Sequence, residues 1–167
     1  MKYKCLKCGE YHHDWPAFGY TEPYYYSILS DEDKNNLAEI NDDFCIIKHE
    51  EQTDYFIRVI LKLKVINSCE DLEYGVWVSL SEKNFSDYKN NYQSENHIAS
   101  YFGYLCNDII GYESTLSLSA DVETKTGNDR PEIFLHDDQM NNSLVKDCYD
   151  GITIKEAEKR LKLLLKI

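Results

Sequence analysis

The first sixteen residues read MKYKCLKCGEYHHDWP, and they hold the densest group of metal-ligating side chains in the chain. Two residues between Cys5 and Cys8 allow both thiolates to reach one tetrahedral ion. Gly9, directly after the second cysteine, permits the tight turn whose N–H groups bond the sulfurs, and Lys2, Lys4 and Lys7 favour the thiolate form. A complete zinc ribbon needs a second CxxC, and the sequence has none. Further donors must therefore come from His12 or His13 nearby, or from Cys45 or Cys106 brought in by folding. His12 and Cys45 are preferred, because Cys45 falls on the first strand of the apolar middle, where the N-terminal segment could dock. A cysteine-rich set closes the coordination sphere, so the zinc expected here is structural rather than catalytic. A redox CxxC would stand at a helix N-terminus after a strand, and no strand pattern precedes Cys5.

Other chemistry finds little support. No GxSxG, glycine-rich phosphate loop, HExxH or GxGxxG is present, so no catalytic residue is assigned. Cys106 in YLCND and His136 in FLHDD have the types of a nucleophile and a base, yet nothing in their spacing fixes their approach; they read as a core thiol and an exposed histidine. Arg58 stands among strand residues and reads first as a salt-bridge partner of a nearby acid.

The elements that must position these groups follow from hydrophobic period. Ser30 with Asp33 begins a capping-box-like start, and Leu37 and Ile40 give a short stripe, which predicts a short helix over SDEDKNNLAEI. From Phe44 the period falls to two. FCIIK, YFIRVILKLKV and YGVWVSLS predict strands, with Arg58, Lys62 and Lys64 on one face of the second and Ile57, Val59, Leu61, Leu63 and Val65 on the other. SEKNFSDYKNNY predicts a surface helix capped by Ser81, after which YFGYLC, TLSLSADVETK and RPEIFLH resume the strand pattern. The C-terminal stretch 153–166 predicts an amphipathic helix: Thr153 and Glu156 form a capping box, Ile154, Ala157, Leu161, Leu164 and Leu165 share one side, and Lys155, Lys159, Arg160, Lys162 and Lys166 share the other. The fold expected is therefore α+β: an antiparallel sheet of about six strands with a C-terminal amphipathic helix and an N-terminal zinc-knuckle-like segment. One domain over 1–167 is expected, with residues 1–20 packed on a 44–137 sheet.

Composition bounds the remaining classes. A chain of 167 residues buries roughly two thirds of its unfolded surface, so a metal would help one region rather than rescue the whole fold. Hydrophobic residues make up 43% and aromatics 13%, which excludes disorder. No apolar run long enough for a membrane span and no signal-peptide core occur, which points to the cytoplasm, where cysteines stay reduced. Eighteen Lys and Arg against 30 Asp and Glu leave a net charge of −12, and only three of the cations are arginine. Such a field repels phosphate backbones and permits a basic protein partner, so neither nucleic acid nor membrane is expected.

Taken in order, CxxCG, His12, DDFCII, YFIRVILKLKV, YGVWVSLSEKNF, YFGYLC, GYESTLSLSADV, RPEIFLH and YDGIT resemble DUF2199, an uncharacterised bacterial family, over nearly the whole chain. The resemblance implies one domain and groups Cys5, Cys8, His12 and Cys45 as matching marked positions; it implies no activity. One departure stands between FLHDD and DGIT, where a histidine-proline-leucine run of the family is replaced by QMNNSLVKD.

The function expected from these readings is a small acidic interaction protein, zinc-stabilised, of inhibitor or immunity type toward a basic partner. The alternative is an enzyme of undescribed type with a pocket near Trp77, Tyr104 and Arg58. The sequence sets neither the oligomeric state nor the fourth ligand, for which Cys45, His13 and Cys106 are the candidates.

Overall fold

The computed structural model describes residues 2–4, 9–13 and 15–165. The two longest apolar alternations form its spine: β6 (Thr53–Leu63) and β7 (Leu72–Leu80) pair antiparallel from Tyr55↔Leu80 to Leu63↔Leu72. As the period-two pattern requires, Ile57, Val59, Leu61 and Leu63 of β6 are buried on the same side as Leu72, Tyr74, Val76, Val78 and Leu80 of β7. Arg58 and Lys62 lie on the opposite face, as expected from the sequence.

That pair closes into a five-stranded barrel through β8 (Ser100–Leu105), β9 (Ser119–Glu123) and β10 (Glu132–Leu135), in the order β7-β8-β9-β10-β6 and back to β7. Closure goes beyond the antiparallel sheet expected, and its parallel β10–β6 pair is a correction to it. β10 meets β6 in parallel, at Glu132↔Ile60 and Ile133↔Leu61. Periodicity reports which face of a strand is buried but not which strand lies beside it, so a parallel closing pair leaves no mark in the sequence. β5 (Phe44–Lys48) continues the sheet beyond the other half of the β6 edge, and β4 (Ala38–Ile40) lies outside it. β3 (Phe18–Gly19) runs parallel to β7 and brings Trp15, Phe18 and Tyr20 against the core. The six strands expected are all present, with these short additions.

β1 (Lys2–Lys4) and β2 (Tyr11–His13) form a separate antiparallel hairpin, with Tyr3 opposite His12. The CxxC of the expected zinc knuckle lies outside the described residues.

Two short helices precede β4: α1 (Tyr24–Ser27), whose Tyr26 packs on the cluster around Trp77, and α2 (Asp31–Leu37), which contacts β4. Ser30 caps α2 by accepting from the Asp33 amide at 3.1 Å. The helix ends at Leu37, and Ile40, expected on its stripe, instead pairs with Cys45 in the sheet. The helix over Glu82–Asn91, α3, is capped by Ser81 as expected, with Phe85 and Tyr88 buried. α4 (Ser143–Asp150) includes part of the QMNNSLVKD departure from the family pattern, and it buries Leu144 and Val145.

The C-terminal helix, α5 (Ile154–Leu165), buries Ala157 and packs Leu161 and Leu164 against the core, whereas Ile154 is exposed. Arg160 departs from the basic face assigned to it. Its guanidinium lies 4.0 Å over the Tyr112 ring, pairs with Glu156 at 2.9 Å and donates to the Gly111 carbonyl. Cation–π contact and burial outweigh solvation because the planar guanidinium is weakly hydrated. Among the described residues no helix is long and apolar enough to cross a membrane.

Candidate functional site

The outer face of β6, β7 and β8 carries a cleft. Cross-strand register sets Phe56 opposite Ser79 and Ser79 opposite Tyr104, which makes one row across three strands. Two positions along each strand, on the same face by alternation, lie Asp54, Ser81 and Phe102. All six line a cleft of about 630 Å³, within the size range of small-molecule and anchor-residue sites. Serine hydroxyls therefore form the floor, and aromatic rings stand on both flanks.

The approach of β8 to β7 depends on Gly103, where an added Cβ would lie 2.7 Å from the Ser79 carbonyl oxygen. The first flank is built by α1: Tyr25 stacks on Phe56 with centroids 6.1 Å apart, and its hydroxyl meets Ser117 Oγ at 3.3 Å. Phe102 and Tyr104 form the second flank, edge to face at 5.1 Å. Asp54 closes one corner, held by Gln52 Nε2 at 3.0 Å and by His49 Nε2 at 3.2 Å.

What holds α1 in place is buried in a second small core. Trp77, fully enclosed with Cys45, Ile47, Phe56 and Cys106, donates from Nε1 to the Tyr20 carbonyl at 3.0 Å. Asn107, 3% exposed, accepts from the Trp77 amide at 2.7 Å and donates to the Glu22 carbonyl at 3.0 Å. The Tyr24 amide in turn donates to the Cys106 carbonyl at 2.8 Å. Asn107 was not read from sequence; its only signal was an amide directly after an apolar strand.

The face continues past the cleft. Phe102 is opposite Asp121 and Asp121 opposite Phe134, so aromatic, acid and aromatic alternate across β8, β9 and β10. Phe102, Tyr104 and Phe134 are 48%, 45% and 44% exposed, large values for rings that share one sheet face. His136 pairs with Asp121 at 3.1 Å and stands 5.6 Å from the Phe102 ring.

The family model that describes an uncharacterised protein conserved in bacteria, DUF2199, matches residues 4–152. The chain belongs to this family. The DUF2199 match spans the whole barrel together with its cleft and α4. No curated protein and no solved structure matches the chain.

The residues singled out in this DUF2199 chain are distributed as follows. Cys5 and Cys8 lie outside the described residues, and His12 is on β2. Cys45 is on β5, fully buried; burial, with the Glu22 carboxylate adding to it, pushes its thiol up to about 12. Its neighbours in the second core are Ile47, Phe56, Trp77 and Cys106, with Tyr20, Tyr26, Leu29, Ala38 and Ile40 around them. Among the described residues no group of three or more His, Cys, Asp or Glu is arranged to hold a metal ion.

Of Trp77, Tyr104 and Arg58, Tyr104 lines the cleft, while Trp77 is enclosed beneath α1. Arg58, the register partner of Trp77, lies with Nη2 over Gly19 and Gly75, and its Nε is buried with no hydrogen-bond partner among the described residues. The salt bridge expected of Arg58 is made by Arg130, whose Nε reaches Asp43 at 2.9 Å. Cys106 sits at the cleft's base, where Sγ donates to the Tyr104 carbonyl at 3.3 Å and burial pushes the thiol up to about 11. A thiol held neutral is a poor nucleophile, and His136 is engaged with Asp121.

Proposed function

We propose that the protein is an interaction module that recognises a basic protein partner through the outer face of β8, β9 and β10 and the adjoining cleft, in the manner of an inhibitor or immunity-type protein. The observation that carries this reading is the run of Phe102, Asp121 and Phe134, with Tyr104 beside it, exposed on one face of a closed barrel. Exposed aromatic residues grouped on one face mark interaction surfaces. The interleaved acid, in a chain of net charge −12, favours a cationic counterpart and speeds its encounter. The neutral Cys106 thiol supports binding over cysteine-based catalysis.

The proposal includes a cytoplasmic setting, where thiols stay reduced, and a structural zinc bound by Cys5, Cys8 and His12. The β1–β2 pairing, which returns the chain at Tyr11 just after the CxxCG, supports a compact site there. Cys45 would join only by giving up both its proton and its packing, so the first three residues carry the zinc reading.

The test is capture from cells of the source bacterium at low and moderate salt, with the wild type beside a Phe102→Ala/Phe134→Ala variant. A partner released by salt and not retained by the variant is the expected result. A partner retained equally by both would refute the assignment of this face.

A further inference from the structure

We infer that the cleft is the anchor pocket for an arginine side chain of that basic partner, with Asp54 as the counter-ion and Tyr104 and Phe102 as the stacking walls. The inference rests on the interaction reading above and adds to it the chemistry of one pocket.

Three observations carry it. First, the cleft has aromatic flanks, a hydroxyl floor of Ser79 and Ser81, and a single carboxylate at its corner, Asp54. A guanidinium is planar and weakly hydrated, so it stacks on aromatic faces while its fork bonds a carboxylate. Second, a neighbouring recess of about 460 Å³ shares Gln52, Thr53 and Ser81 with the cleft and adds Glu50, Glu51 and Glu82. Among the described residues no lysine or arginine lines either hollow. The two hollows adjoin at these shared residues, and their charged lining is acidic apart from His49, which is already turned toward Asp54. Third, the positive end of α3 opens at this rim but is capped by the Ser81 side chain and followed at once by Glu82, so it offers little to an anion.

Geometry favours arginine over lysine. Both oxygens of Asp54 are engaged by neighbouring side chains, Oδ1 by Gln52 and Oδ2 by His49. A carboxylate engaged in this way suits the two-pronged guanidinium better than a point-charge ammonium. The acidic recess next door suits a second basic residue flanking the arginine in the partner's chain.

The probe is N-acetyl-L-arginine methylamide, titrated into the full-length protein by amide NMR, with the citrulline counterpart as a neutral isostere. The arginine compound is expected to give saturable shifts at Ser79, Ser81 and Tyr104. The citrulline compound, and the Asp54→Asn and Tyr104→Ala chains, should each bind about tenfold more weakly. Spectra of the free variants report whether the fold is kept. No shift with the arginine compound, or equal shifts with citrulline, would overturn the inference. Partner capture separates this inference from the reading beneath it. Capture lost in Phe102→Ala/Phe134→Ala but kept in Asp54→Asn would refute the arginine pocket and leave the recognition face standing. Capture unchanged in all of these variants would refute both.

Discussion

Trp77 Nε1 and the Tyr20 carbonyl, 3.0 Å apart, tie β7 to the segment that carries α1 and hence Tyr25. Asn107 adds a second tie, since its one side chain bonds both the Trp77 amide and the Glu22 carbonyl. The barrel thus fixes one wall of its own cleft through buried residues beneath it. Trp77→Ala is expected to cost about 3–5 kcal/mol through lost packing and the cavity left behind. Asn107→Ala should cost about 1–3 kcal/mol, because it leaves buried backbone groups unpaired. Urea unfolding of each variant checks both, and Tyr25 fluorescence or its ring NMR signals should change even where the variant stays folded.

Gly103→Ala tests the close approach of β8 to β7. Its Cβ would meet the Ser79 carbonyl oxygen at 2.7 Å and the Leu80 side chain at 3.1 Å. Backbone cannot yield as a flexible side chain does, so a loss of about 1–3 kcal/mol is expected. Phe102→Ala, one residue away but exposed, should lie within about 0.5 kcal/mol of wild type. Comparing the two midpoints in one denaturant series separates strand approach from side-chain loss.

The buried thiols set an alkaline limit. Cys45 and Cys148 are pushed from 9.0 up to about 12 and Cys106 to about 11, in each case chiefly by burial. In the folded chain these groups keep their protons at a pH where the unfolded chain loses them. Their contribution to stability is therefore complete below about pH 9 and is lost as pH rises toward the folded values. Stability measured from pH 7 to 11 should fall above about 9, with less fall in a Cys45→Ala chain. In the native protein near neutral pH, Cys45 and Cys106 should react with iodoacetamide far more slowly than after unfolding.

The zinc reading makes its own demand. One zinc per chain is expected in freshly purified protein, lost in Cys5→Ser and Cys8→Ser and retained in Cys45→Ser, as read by elemental analysis. Metal-free wild-type protein would remove zinc from the account, and zinc lost with Cys45 would restore Cys45 to the ligand set.

Much of the architecture could be read from residue types. The alternation in YFIRVILKLKV places the buried face of β6 correctly because one side of that strand meets only the core. Helix starts at Ser30, Ser81 and Thr153 were legible because capping is local: each side chain accepts from an amide three residues on. Barrel closure was not legible, since the β10–β6 contact joins residues far apart in sequence and strand periodicity carries no mark of which strand lies alongside. Nor was the cleft. Ser79 and Ser81 look like ordinary solvent-side strand residues until β6 and β8 set Phe56 and Tyr104 beside them. Arg58 misled because strand position gives its face but not its neighbour, and Arg130 occupies Asp43 instead.

The central claim, recognition through the outer face of β8 to β10, is tested most directly by hydroxyl-radical footprinting of the protein with its captured partner. Phe102, Tyr104 and Phe134 should oxidise several-fold more slowly in the complex than alone. Leu163, 46% exposed on α5 and outside those strands, should be unchanged. Equal oxidation of the three rings, with protection appearing elsewhere, would contradict the account.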